Sequence, residues 1–99
     1  MSIQESIEQK LTALSPQYLQ VENESHRHHV PPNSETHFKI TLVSSAFEGL
    51  MPVKRHQRAY ALLAEELEGP VHALALHLYT PAEWDKRQQV SPASPNCRG

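Results

Sequence analysis

The chain has a single cysteine, Cys97, among 99 residues. That excludes an internal disulfide framework and suits a reducing compartment, so a cytoplasmic protein is expected. No apolar run approaches the roughly 20 residues that span a bilayer. A basic patch followed by an apolar stretch is missing at the amino terminus, so no signal peptide is expected. Charge of one sign is also missing: the formal net charge is −2 with histidine neutral, which provides no global basic field for nucleic acid. The length suits one small domain with a thin core and leaves no room for a large buried substrate cavity. Catalysis is not expected. Cys97 has no histidine near it in sequence, and Glu65-Glu66 reads as a solvated pair on a helix surface.

Histidine is plentiful. The chain has seven, each with an unperturbed pKa of about 6.5. Three of them, His26, His28 and His29, fall in the Pro- and Asn-rich stretch 26–34. A fourth, His72, opens the last apolar run, residues 71–79. Neutral imidazole is the commonest protein metal ligand, so the question is whether the fold brings these groups together.

Ser2-Ile-Gln-Glu5 is a capping-box pattern. Ile3, Ile7, Leu11 and Leu14 follow on one helix face, which Ser15-Pro16 ends. Alternation of Leu19, Val21 and Asn23 predicts a first strand over about residues 18–25. Residues 36–44 form the clearest strand, with Phe38, Ile40 and Leu42 on one face and His37, Lys39 and Thr41 on the other. Pro52 opens a helix in which Val53, His56, Tyr60, Leu63 and Leu67 are expected to face the core, up to the stop at Gly69-Pro70. Residues 71–79 are a third strand. Thr80-Pro-Ala-Glu83 is a second capping box, opening a short helix that carries Trp84. The Ser/Pro-rich end has the composition of a flexible tail, so the expected division is a domain over 1–88 and a tail over 89–99.

The order is therefore αββαβα. A short loop makes the first two strands antiparallel. The intervening helix favours a right-handed parallel crossover between the second and third. Under that topology His72 lies on the sheet end that carries the histidine loop.

Val30-Pro-Pro-Asn-Ser-Glu-Thr-His-Phe-Lys-Ile40 resembles the run V-P-x-G-S-E-T-H-F-K of the BolA family. Phe47-Glu-Gly49, Arg55-His56, Leu63-Ala-Glu-Glu-Leu67, Val71-His-Ala-Leu74 and Tyr79-Thr-Pro-Ala-Glu-Trp84 continue the likeness over nearly the whole chain. Together these spacings are highly specific. The resemblance implies an α+β, class II KH-like fold: a three-stranded mixed sheet with helices packed on one face. It also implies partnership with a monothiol glutaredoxin and a shared 2Fe–2S cluster, with glutathione supplied through the partner. It makes His72 one ligand and His28 the other, with His29 and His26 as fallbacks. The bacterial branch further suggests a DNA-binding regulator of stress and morphology genes, and a free protein that is a monomer or weak homodimer. Asn33 stands where the family has glycine, and Gln57-Arg58-Ala59 departs from the family pattern.

A 2Fe–2S cluster needs four ligands, and Cys97 is the only thiol, so the remaining thiolates must come from outside. The alternative site is a basic group, Lys54, Arg55 and Arg58, beside the turn at Gly49, where a helix N-terminus offers N–H groups to phosphate. Gly-x-x-Gly loops of KH domains grip nucleic acid in a comparable place. Here the turn has one glycine, and Glu48 opposes phosphate. Of the other histidines, His37 reads as structural, perched on the polar side of its strand, His56 as partly buried and satisfied, and His77 as exposed. Met51 and Trp84 read as packing residues.

Overall fold

The computed structural model describes residues 2–25 and 34–88. The elements are helix α1 (Ile3–Leu11), strands β1 (Tyr18–Asn23) and β2 (His37–Val43), helices α2 (Pro52–Leu62) and α3 (Ala64–Glu68), strand β3 (Ala73–Tyr79) and helix α4 (Pro81–Lys86). The sheet order is β1-β2-β3. β1 pairs antiparallel with β2, with Tyr18 opposite Val43 and Asn23 opposite Phe38. β2 pairs parallel with β3, with His37 opposite Ala73 and Val43 opposite Tyr79. This is the three-stranded mixed sheet of the expected α+β fold.

Both expected capping boxes form. The Ser2 hydroxyl accepts from Glu5 N and the Glu5 carboxylate accepts from Ser2 N. Thr80 and Glu83 do the same at α4. Each satisfies two backbone N–H groups that a helix start would otherwise leave open. Ile7 and Leu11 of α1, Phe38, Ile40 and Leu42 of β2, Phe47, Ala59, Leu63, Leu76 and Leu78 make one buried cluster.

The register of the long helix differs from expectation. Val53 is 58 % exposed and Tyr60 is also exposed, while Arg55, Ala59 and Leu63 are buried. The periodicity was present, but a polar residue takes the inward position. Met51, expected to pack, is 70 % exposed. The helix also divides at Leu63, whose φ of −105° and ψ of 19° leave the α region and start α3. Glu66 is not solvated. It is buried, and it takes the Lys10 ammonium on both oxygens and the Ser6 hydroxyl on one. Burial pushes the Glu66 carboxyl up; the bonds from Lys10, its own backbone and Ser6 outweigh this and hold it below the usual range.

Both faces of β2 are covered. Lys39 is buried beside Glu22 at 3.7 Å, and Thr41 and Val43 are buried too. Trp84 stacks on Tyr18 (5.3 Å between ring centres) and Tyr79 (5.4 Å). Those tyrosines flank Val43 in register. Trp84 thus closes the far end of the sheet face that α1 and α2 leave open, and takes the packing role its sequence position suggests.

Candidate metal centre

Thr36, just before β2, organises the sheet end that carries His72. Its carbonyl accepts His72 N at 2.8 Å and Ala73 N at 3.2 Å. Its N–H donates to Ser25 Oγ at 2.9 Å, and His37 N donates to the same oxygen at 3.1 Å. Asn23 ties both flanks of the loop: Oδ1 accepts Ser25 N and Nδ2 donates to Ser34 O, each at 2.9 Å. Glu35 reaches the other way and accepts Ile3 N and Gln4 N at the start of α1. Ser34 through His37, together with Ser25, therefore form a hydrogen-bonded base. His72 stands on it with an exposed side chain.

Among the described residues, the ring beside His72 is an unexpected one. His37 lies with its ring centre 6.0 Å from that of His72 and its plane turned by 77°. Its Nδ1 is 2.8 Å from Thr36 Oγ1, a side-chain partner rather than a backbone one. His26, His28 and His29 lie outside the described residues, as does Cys97. Their flanks, Ser25 and Ser34, sit at the His72 end of the sheet through the bonds just given. Among the described residues no group of three or more His, Cys, Asp or Glu is gathered as for a metal ion.

The basic group does not form one surface. Arg55 is 8 % exposed. Its Nε donates to Leu50 O at 2.9 Å, and Nη1 lies 3.3 Å from Leu78 O. Both terminal nitrogens reach the Glu83 carboxylate, Nη2 at 3.1 Å. This bidentate pair holds the Glu83 carboxyl down at about 2, helped by the Thr80 backbone bond. Arg55, offered by sequence as a phosphate contact, here braces α2 against β3 and α4. Lys54 and Arg58 are exposed, four residues apart on one helix face. Gly49 is an exposed turn at φ +78°, a conformation that favours glycine. Sequence reasoning missed Lys86 and Arg87, which share a cleft of about 390 Å³ with Arg55, Glu83, Pro52 and Tyr79. The charge was visible, but the convergence was not.

The remaining histidines divide. His56 is satisfied, Nδ1 donating to Pro52 O at 2.8 Å. His77 is half-buried rather than exposed, and its Nε2 is buried without a hydrogen-bond partner. Burial first, then the positive charges of Lys39 and Arg87, push His77 below the usual imidazole value.

No helix among the described residues is long and apolar enough to cross a membrane. The BolA-like protein family matches residues 11–83. The DNA-binding transcriptional regulator BolA of Haemophilus influenzae is 51 % identical over 100 residues, covering all of this chain and 97 % of that protein. Human BolA-like protein 1 is 56 % identical over 87 residues, which are 88 % of this chain and 63 % of the relative's length. The solution structure of mouse BolA1 superposes with a TM-score of 0.83 at 48 % identity, covering all of this chain and 80 % of that one. With the mixed sheet in place, the chain belongs to the BolA family.

Proposed function

We propose that this protein pairs with a monothiol glutaredoxin and that the two share a 2Fe–2S cluster, used for iron sensing or cluster transfer. One observation carries the reading. His72 offers an exposed imidazole from a backbone pinned at both its own and the next N–H, in a chain with a single thiol. Such a donor set fits the imidazole half of a Rieske-type centre, in which two histidines serve one iron and thiolates the other. The residues that would hold it are His72 and a histidine of the 26–29 segment, His28 first by its spacing from Val30, with His29 and His26 behind it. The thiolates, with glutathione, come from the partner. When bound, the cluster supplies redox and iron-exchange chemistry; this chain contributes neutral ligands and an exposed edge. The test is reconstitution of the mixed proteins with iron and sulfide. Rieske-like spectra that His72→Ala alters are expected, and an unchanged spectrum and complex reject the assignment.

A second reading has its own support in the name of the Haemophilus influenzae relative, a DNA-binding transcriptional regulator. Here exposed Lys54 and Arg58, with Lys86 and Arg87 beyond them, are the phosphate contacts, and Gly49 shapes the turn. Lys54→Ala and Arg58→Ala are each expected to weaken DNA binding and to lower its salt slope by about 1. Unchanged affinity and slope reject this reading.

A further inference from the structure

We propose that the open edge of β3, with the cleft at its C-terminal end, binds the C-terminal end of an extended peptide as an added parallel strand. β3 is an outer strand of the sheet. Ala73 N donates to Thr36 O, and Tyr79 O accepts from Ser44 N. The odd-numbered residues of β3 therefore turn their backbone toward β2, and Leu74, Leu76 and Leu78 turn theirs outward. Among the described residues one group reaches that outer row, Arg55 Nη1 at Leu78 O. The other N–H and carbonyl groups of the row stay open. Ala73–Tyr79 contains no proline, Asp, Glu, Lys or Arg, the residues that usually blunt an edge. The opposite edge is guarded, because Gln4 Nε2 of α1 covers Val21 O.

A parallel strand matches this row. One peptide residue donates to Leu74 O and accepts from Leu76 N; the residue two further on donates to Leu76 O and accepts from Leu78 N. The ladder stops there, because the Arg55 guanidinium takes the outer side of Leu78 O. The group placed on Leu78 N is then the end of the incoming chain, a carboxylate. The cleft supplies its counter-charge. Leu78 lines it together with Glu83, Lys86 and Arg87. Glu83 is tied to Arg55 through both carboxylate oxygens. Arg87 lies over the Tyr79 ring at 5.3 Å. Lys86 is exposed and has no acidic partner among the described residues. An open N–H beside an unpaired ammonium selects an anion.

The register also sorts the side chains of the guest. Its last and third-last residues follow His77 and Ala75 to one face of the sheet, and the penultimate one follows Leu76 to the helix face. There it meets the outer flank of α2. Arg58, Ala61 and Leu62 line the inner flank beside Ala13 and Leu14. By helix geometry His56 and Tyr60 lie on the other flank, toward the β3 edge. Their ring centres are 6.4 Å apart, and Tyr60 is exposed. The penultimate side chain is therefore apolar. Main-chain pairing supplies affinity, while the carboxylate and that one side chain supply selection. The groove uses neither His72 nor the 26–29 histidines.

The test uses the full chain, ¹⁵N-labelled, and the synthetic peptide Ser-Thr-Val-Thr-Leu-Val, made once with a free carboxylate and once with a carboxamide end. Titration of the free acid up to about 1 mM is expected to move the backbone amide signals of Leu76 and Leu78. The carboxamide is expected to bind about tenfold more weakly, because it loses a charge-assisted bond. Lys86→Ala, at an exposed position, is expected to keep the fold and to weaken the free acid about threefold. Amides of Leu76 and Leu78 that do not move overturn the proposal. So do equal affinities of the two peptides, or wild-type affinity in Lys86→Ala. A capped peptide with an internal Asp in place of the last Val separates the two sources of carboxylate: binding equal to that of the free acid overturns the assignment to a chain end. Single-stranded oligothymidylate that moves the same amides where the free acid does not gives the edge to nucleic acid and overturns the proposal as well. Neither iron nor glutaredoxin is present, so these failures leave the cluster reading standing.

Discussion

The two ends of β3 use polar residues in opposite ways. At its C-terminal end the charges are turned inward: Arg55 is spent on Glu83 and on the carbonyls of Leu50 and Leu78. At its N-terminal end neutral hydrogen bonds hold the backbone, and the imidazole of His72 is left outside. Residues 72 and 78 are about 20 Å apart by strand rise. A cation in the sequence is therefore a poor guide to a cationic surface. What matters is whether the fold supplies its counterion. The end that looked basic is a structural joint, and the other end leaves the His72 side chain exposed.

The sharpest way to break this contrast is Arg55→Ala. It removes one donor from each of two carbonyls and takes the bidentate partner from one carboxylate, and partner loss at buried charges costs about 3–5 kcal/mol. Glu83 is partly exposed, its side chain retaining 46 % of its surface, so water recovers part of that. A loss of about 2–3 kcal/mol is expected, lowering Tm by roughly 10 °C or more in a domain of this size. His72→Ala, at an exposed position, should stay within about 0.5 kcal/mol. Thermal unfolding of the two variants side by side checks both. Equal melting temperatures would remove the distinction between a buried joint and an exposed side chain.

Ser25→Ala tests the other end at the next level of effect. Ser25 is 2 % exposed and its hydroxyl serves the amides of Thr36 and His37. Leaving buried donors unmatched costs about 1–3 kcal/mol. The His72 amide, bonded to the Thr36 carbonyl, should then exchange with solvent faster than in the wild type. Hydrogen exchange at that single amide reads the effect. Unaltered protection would mean the base under His72 does not depend on Ser25.

Local rules carried most of the fold. The two capping boxes and the helix between β2 and β3 needed only neighbours in sequence, and from them the topology and the position of His72 followed. The errors share a different cause. Arg55 faces inward because Glu83 waits 28 residues away, and Glu66 because Lys10 lies 56 residues earlier. Hydrophobic periodicity does not register such partners, so it chose the stripe through Val53 and Tyr60. His37 was read as structural because strand alternation placed it away from Phe38. Its approach to His72 depends on where β3 begins relative to Thr36, and no residue pattern states that. Ser25 and Glu35 look like loop residues until the backbone groups they serve are located.

The smallest expected effect is in pH, and it assigns different ranges to different parts of the sheet. His77, opposite Thr41 in register, has a buried Nε2 with no partner. Burial, Lys39, Arg87 and His56 depress its pKa below 6.5, against a weaker opposing pull from Glu24. Between the folded and unfolded values the unfolded chain binds more protons, so stability falls as pH drops below about 6.5. Glu83 acts lower: its folded value is about 2 against an ordinary 4.5, so the stability it contributes is present above 4.5 and disappears as pH falls toward 2. His77→Gln should flatten the upper range and leave the lower one. Glu83→Gln should do the reverse, with a lower plateau above pH 5. Denaturant midpoints measured from pH 7.5 to 3 separate the two. A wild-type curve that is flat between pH 7 and 5.5 would mean that water reaches His77 and that the middle of β3 carries no burial penalty at all.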